Sequence, residues 1–204
     1  SKERLLMELK KIINVEILEK LNNDKISLEL ILIIFPELKN VIIFSKFDKK
    51  NKNLLKKKSF IFLISLLIIN ESDDAEYFFY KFNLSNKDKE KINIINHFYK
   101  NGDKNSLFSE KNLNKVFYFQ GKEAVNDVLD FEIVRSKKLN KNLIELSKLF
   151  QKKKDPVMPI SAETLKKKYK MSEGKMLGDK LKMIEMKWVA VSYTHLTLPT
   201  TTIV

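Results

Sequence analysis

Apolar residues recur at helical spacing along most of this chain. In the first two dozen residues they share one helix face, at separations of three or four positions: Leu5, Leu9, Ile12, Ile13, Ile17 and Leu21. The same spacing returns in later segments up to residue 190. No long stretch before Val191 alternates apolar and polar residues as a half-buried strand would. The pattern therefore predicts an all-α protein.

Residues that begin and end helices divide this pattern into segments. A serine hydroxyl accepts a hydrogen bond from the free amides of a first helical turn, and proline disfavours helix in the residue before it. With these signals the spacing predicts helices over residues 27–34, 54–69, 87–100, 110–121, 122–135, 140–154 and 162–169. It also predicts a longer helix after Ser172, in which Leu177, Leu181, Ile184 and Trp188 share one face. The predicted N-caps are four serines: Ser72, Ser109, Ser161 and Ser172.

The longest apolar run covers residues 60–69 and is ten residues long. Because a helix needs about 20 apolar residues to span a bilayer, this run predicts a helix buried in a protein core. We accordingly expect no membrane partner.

Residues 155–159, with the sequence DPVMP, break the helical pattern. They predict a division into a helical body, residues 1–154, and a small helical tail domain, residues 155–190. Residues 191–204 contain no charged residue, although the chain is 32% charged, and they hold five of its six threonines. Since VSYTHLTLPT also resembles the translation of a sequencing adapter, we expect residues 191–204 not to be native.

The chain is strongly basic, with a net charge of +13 and an isoelectric point near 9.6. One interpretation is a surface that binds nucleic-acid phosphates. The other is codon usage in an AT-rich genome, because only 2 of the 39 basic residues are arginine. Codon usage explains the choice of lysine over arginine better than it explains the excess of basic over acidic residues, so the charge favours RNA.

Three runs of consecutive lysines are the densest basic segments. We expect them to contact RNA phosphates, which position an RNA without reading its sequence; the alternative is a solvated surface. The runs are Lys56, Lys57 and Lys58; Lys152, Lys153 and Lys154; and Lys166, Lys167 and Lys168.

Few residues offer catalytic or metal-binding chemistry. The chain has no cysteine, which fits a reducing, cytoplasmic environment and excludes thiolate sites. His97 is the one histidine outside residues 191–204, and a surface or capping role is expected for it. The acidic pair Asp73 and Asp74 is explained by the positive end of a helix dipole. We therefore predict neither catalytic residues nor a metal site.

Two aromatic clusters and one tryptophan are candidates for stacking on RNA bases. Aromatic residues at helical spacing are more often part of a core, and we expect the core role for these: residues 78–80 (FFY), residues 117–119 (FYF) and Trp188.

Three segments resemble the C-terminal body of class II tRNA nucleotidyltransferases (CCA-adding enzymes) and bacterial poly(A) polymerases. Residues 1–12 resemble the S-x-E-R-[ILV]-x-x-E-[LF]-x-K-[LIM] signature that follows the catalytic head in this family. Residues 35–38 (FPEL) resemble its L-P-E-L. Residues 159–165 (PISAETL) and 174–188 are similar to P-[IL]-S-G-x-D-L and G-x-x-[IL]-G-x-x-L-x-x-[IL]-E-x-x-W. The chain departs from the family at Ala162, where glycine is usual, in its scarcity of arginine, and in residues 71–135, which match only as helices.

The resemblance implies the RNA-holding part of an enzyme that adds nucleotides to RNA 3′ ends, either CCA to tRNA or poly(A) to other RNA. The catalytic head, with Mg²⁺ and ATP or CTP, would precede Ser1, and Glu3 and Arg4 would brace the body against that head. The partners would be the tRNA acceptor arm or other RNA 3′ ends. A second hypothesis is a helical protein-interaction scaffold whose basic charge reflects codon usage.

Overall fold

The computed structural model describes residues 1–70, 74–101, 106–136 and 140–191, without the side chains of residues 45, 46, 50, 74 and 101. The described residues form eleven α-helices, one 3-10 helix (Val41–Lys46) and no strand, so the all-α prediction is confirmed. In chain order the α-helices are α1 (Lys2–Ile12), α2 (Val15–Asn23), α3 (Lys25–Ile34), α4 (Lys49–Leu55), α5 (Phe60–Ile68), α6 (Asp74–Lys81), α7 (Asn86–Asn101), α8 (Glu110–Arg135), α9 (Lys141–Lys152), α10 (Ala162–Tyr169) and α11 (Lys175–Ala190).

Side-chain caps divide two segments that the apolar spacing had joined. The first stripe breaks after Ile13, because the Asn14 side chain accepts from the amide of Ile17 at 2.9 Å and begins α2. The predicted helix over residues 54–69 was wrong in the same way. The Ser59 hydroxyl accepts from the amide of Phe62 at 3.3 Å and begins α5, so residues 56–58 lie in a turn.

Two of the predicted serine caps are confirmed. Ser161 accepts from the amide of Thr164 at 3.2 Å, and Ser109 accepts from the amide of Asn112 at 3.4 Å. The prediction of an N-cap at Ser172 was wrong, because α11 begins after Gly174. The φ of Gly174, +138°, suits a residue without a side chain. The predicted cap at Ser72, together with Asp73, lies outside the described residues.

By their contacts the residues form two units, of which unit 1 comprises residues 1–107 and 126–147. Its core is built around α5, which packs against α6 and α7 and in which every residue from Ile61 to Ile68 is buried. This confirms the buried helix predicted from the apolar run. Phe78 and Phe82 of the α6 region pack with their ring centroids 4.4 Å apart and their planes tilted by 34°. Burying each such side chain contributes about 1.5–3 kcal/mol to folding.

Unit 2 comprises residues 108–125 and 148–204. In it, Phe117 of α8 meets Phe150 of α9 edge to face, with ring centroids 5.7 Å apart. The helices α10 and α11 pack through a small apolar cluster: Ile160, Leu165, Leu177 and Ile184. The contacts thus group residues 148–154 with the tail segment, whereas the sequence pattern placed the division at residue 155.

Among the described residues, no helix combines the length and the apolar character that crossing a membrane requires.

Candidate nucleic-acid interface

The basic excess of the chain is concentrated in unit 2, the smaller of the two units. Unit 2 contains 15 lysines and 7 acidic residues, whereas unit 1 contains 24 basic and 19 acidic residues. Unit 1 is therefore close to electrostatic balance for its size. A surface that attracts phosphate is expected in unit 2.

Lys58 is part of a partly buried ion cluster. Its ammonium lies 2.8 Å from the Asp127 carboxylate and 2.6 Å from the Asp130 carboxylate, and all three side chains are less than one-fifth exposed. Burial lowers the pKa of Lys58, but the hydrogen bonds and negative charges of the two aspartates outweigh burial and raise that pKa above its usual value. Because its charge is already matched, Lys58 holds α8 to the start of α5 and is a weaker candidate for phosphate contact than an unpaired lysine would be.

The other two lysines of this run are exposed. Lys56 forms an ion pair with Glu16 at 2.9 Å, and the hydrogen bond and charge of Lys56 lower the pKa of the Glu16 carboxyl. Such surface pairs contribute little and exchange readily for other partners. Lys57 has no carboxylate partner within the described part of the chain. Lys56 and Lys57 therefore stay candidates for phosphate contact.

The second run also contains one lysine that the fold uses. The Lys153 ammonium lies 2.6 Å from the side-chain oxygen of the buried Asn114 and 3.3 Å from the Glu110 carboxylate. It also lies over the Phe150 ring, 5.0 Å from the centroid. Lys153 is accordingly a weaker candidate for phosphate contact. Lys152 and Lys154 are exposed and have no carboxylate partner among the described residues.

The three lysines of the third run differ in whether they have a carboxylate partner. Lys166 pairs with Glu173, whose carboxyl pKa is lowered by that hydrogen bond and charge, but Glu173 is largely exposed, so this surface pair, like that of Lys56, leaves Lys166 a candidate. Lys167 lies 3.8 Å from Glu163, a long and fully exposed contact. Lys168 is exposed and has no ion pair within the described ranges. Lys167 and Lys168 stay candidates.

A further basic surface lies on the first half of α8, and the lysine runs gave no sign of it. Lys111, Lys115 and Phe119 follow each other at four-residue intervals and are all exposed, Phe119 by 47%. Just beyond them, Lys122 donates to the backbone oxygen of Gln151 at 3.3 Å. The four-residue spacing in the sequence could have revealed this surface, because such residues share a helix face.

The expectation that the aromatic residues are core residues is only partly confirmed. Phe78, Phe117 and Trp188 are buried, as expected. Phe119 and Tyr80 are exposed, so the expectation was wrong for these two.

The exposure of Tyr118 is intermediate between that of the buried and that of the exposed aromatic residues. It donates a hydrogen bond to Glu185 at 2.6 Å and meets the Trp188 ring edge to face at 5.5 Å. Burial and the Glu185 carboxylate raise the pKa of Tyr118 to about 12. Its hydroxyl is therefore held neutral, as a hydrogen-bond donor.

Glu3 and Arg4 lie exposed in the first turn of α1, where the Ser1 hydroxyl accepts from the amide of Arg4 at 3.3 Å. Within unit 1, this turn lies beside the end of α6, because the Lys2 ammonium donates to the backbone oxygen of Tyr80 at 2.8 Å. The Glu3 carboxylate also accepts a long hydrogen bond, 3.5 Å, from Asn83.

The helix α3 presents an apolar face to solvent in unit 1. None of its residues is buried, and four aliphatic side chains at helical spacing are each more than half exposed: Ile26, Leu30, Ile33 and Ile34. The end of the helix is fixed, because Lys81 donates to the backbone oxygen of Ile34 at 3.0 Å and pairs with the buried Glu37 at 2.6 Å. Such a patch typically marks an interaction surface.

The described residues contain no group of three or more histidine or acidic side chains that could hold a metal ion.

Comparison of the chain with family models, with curated proteins and with solved structures gives no match. The resemblance to tRNA nucleotidyltransferases and poly(A) polymerases consequently depends on the quoted residues alone.

Proposed function

We propose that this chain binds RNA through the lysines of unit 2 and serves as the RNA-holding part of an enzyme that extends RNA 3′ ends. The observation that carries the proposal is the concentration of exposed lysines without carboxylate partners in the smaller, more basic unit. A phosphate contact needs a cation whose charge is not already matched. Lys152, Lys154 and Lys168 meet this condition among the described residues.

The chemistry of these contacts fits recognition of RNA by shape. Lysine is a flexible point charge that contacts phosphates without demanding one geometry. A-form RNA hides its base edges in a deep groove, so proteins recognise it mostly through phosphates and 2′-hydroxyls. A lysine-rich surface with two arginines in the whole chain suits an acceptor arm or another RNA 3′ end.

Unit 1 supplies support for a second part of the proposal, the docking of a catalytic head. The apolar face of α3 is exposed, as are Glu3 and Arg4 in α1. In the proposed enzyme the head would hold Mg²⁺ and ATP or CTP, and this chain would hold the RNA in the cytoplasm. The residues that distinguish CCA addition from polyadenylation would belong to the head.

The test is binding of the full chain to an RNA minihelix that mimics a tRNA acceptor arm, titrated with salt, against duplex DNA of equal length. The proposal predicts tight binding at low salt, a steep loss of affinity as salt rises, and preference for RNA. Equal binding of the two duplexes, or no binding at low salt, would contradict it.

The α3 face also favours a second candidate function, a helical protein-interaction scaffold. Ile26, Leu30 and Ile33 would insert into an apolar groove of a partner, a contact that salt does not weaken. A scaffold would bind its partner protein in high salt and lose it on Leu30→Glu, while showing no affinity for the minihelix.

A further inference from the structure

We infer that Phe119 is a stacking platform for an unpaired base of bound RNA, flanked by lysines that hold the adjacent phosphates. This inference rests on the proposed function and names the site and the ligand within it: a single-stranded nucleotide segment. The juxtaposition that carries it is an exposed aromatic ring on the same helix face of unit 2 as the exposed Lys111 and Lys115.

The exposure of Phe119 is not a requirement of the core. Its neighbours Phe117 and Tyr118 complete that packing, Phe117 against Phe150 and Tyr118 against Trp188. Phe119 is 47% exposed, and its ring meets described aromatic residues only through an edge-to-face contact with Tyr118, at 5.0 Å and 82°. This contact with Tyr118 leaves part of the Phe119 ring accessible to an RNA base.

The side chain against which Phe119 packs is itself fixed. This side chain, Tyr118, is held by the hydrogen bond to Glu185 and by Trp188. An aromatic ring packed against a fixed neighbour loses less conformational entropy on binding, which favours affinity. Stacking is tolerant of base identity because every base has a π-face.

Exposed cations share the helix face of the Phe119 ring. Lys115 and Lys111 precede Phe119 by one and two helical turns on the same exposed face. Beyond Gly121, the hydrogen bond from Lys122 to Gln151 brings α8 beside the end of α9, where the exposed Lys152 follows. Glu123, the acidic residue nearest along the helix, comes after the kink at Gly121. A positively charged groove with an aromatic platform is the usual arrangement for single-stranded nucleic acid.

The experiment compares the full chain with its Phe119→Ala and Phe119→Trp variants. The ligands are a single-stranded oligoadenylate RNA carrying one 2-aminopurine and an RNA duplex of equal length. We expect Phe119→Ala to bind the single strand roughly tenfold more weakly, with unchanged salt dependence and unchanged duplex affinity. Phe119→Trp should retain wild-type affinity and the change in 2-aminopurine fluorescence that accompanies stacking.

Tyr77→Ala is the matched control, because Tyr77 is an aromatic residue of unit 1 with 55% exposure. It should bind the single strand as wild type does, and thermal melts check that all variants fold. Unchanged single-strand affinity in Phe119→Ala, or an equal loss in Tyr77→Ala, would overturn the inference while RNA binding itself stands. Absence of any RNA binding by the wild type would instead overturn the proposed function and this inference together.

Discussion

The ammonium of Lys58 lies 2.6 Å from a carboxylate oxygen of Asp130, in a pair whose two side chains are less than one-fifth exposed. Its sequence neighbour Lys57 is exposed and has no carboxylate partner among the described residues. Two adjacent lysines of one basic run therefore have different physical roles. The same division recurs between Lys153 and its neighbours Lys152 and Lys154.

Replacing Lys58 is expected to destabilise the fold. Lys58→Met leaves Asp127 and Asp130 close together without their cation, and loss of one partner from a partly buried pair costs about 2–3 kcal/mol. Lys57→Met, the matched control, should change the free energy of unfolding by less than about 0.5 kcal/mol. Urea denaturation measures both variants. Equal stabilities of the two would show that the Lys58 cluster contributes nothing.

The same cluster should make stability depend on alkaline pH. The aspartates raise the pKa of Lys58 above its unfolded value, which is about 10.4. The stabilisation is therefore complete below that unfolded pKa and is lost as the pH rises through the folded pKa. The difference in unfolding free energy between wild type and Lys58→Met should be constant near neutrality and narrow above about pH 10.4. If the difference in unfolding free energy stayed constant above about pH 10.4 as well, the charge of Lys58 would not be the source of the stabilisation.

Replacing Lys153 is expected to lower stability, whereas replacing its neighbour Lys152 is expected to lower RNA affinity. Lys153→Met removes the hydrogen bond from the ammonium to the buried Asn114 oxygen, and a hydrogen bond with a charged group contributes about 1.5–3 kcal/mol. Lys152→Met removes only an exposed charge, so its melting temperature should equal that of wild type while its affinity for the RNA minihelix falls. Reversed effects, with Lys152 controlling stability and Lys153 controlling affinity, would refute this assignment.

Gly121→Ala tests the kink in α8. Gly121 has φ +81° and ψ 179°, a conformation that residues with a side chain rarely adopt. A Cβ there would meet nothing within 4 Å, so the cost comes from the backbone alone. We expect about 1–3 kcal/mol of destabilisation in urea denaturation. Gly178→Ala is the control, since Gly178 lies in helical conformation with equal free space and should be stabilised slightly.

Much of the fold follows from local signals in the sequence. Apolar spacing and the caps at Ser109 and Ser161 placed α7, α10 and most of α8, because these signals act over three or four residues. Where a cap interrupts a continuous apolar stripe, as at Asn14 and Ser59, the stripe alone predicted one helix instead of two.

The candidate site was less predictable, because charge matching is a long-range property. Lys58 and Asp127 are 69 positions apart, and nothing near Lys58 in the sequence distinguishes it from Lys57. Whether an aromatic residue is buried depends likewise on which helix packs against it. Phe117 meets Phe150, whereas Phe119, two positions on, is exposed.

The central claim is that lysines of unit 2 without carboxylate partners bind RNA phosphates. The most direct test is the salt dependence of minihelix binding by wild type, by Lys152→Gln/Lys154→Gln, and by Lys25→Gln/Lys87→Gln, which removes two exposed lysines of unit 1. The slope of log affinity against log salt should decrease by roughly 1.5 in the first variant and stay unchanged in the second. Equal slopes in all three proteins would contradict the claim.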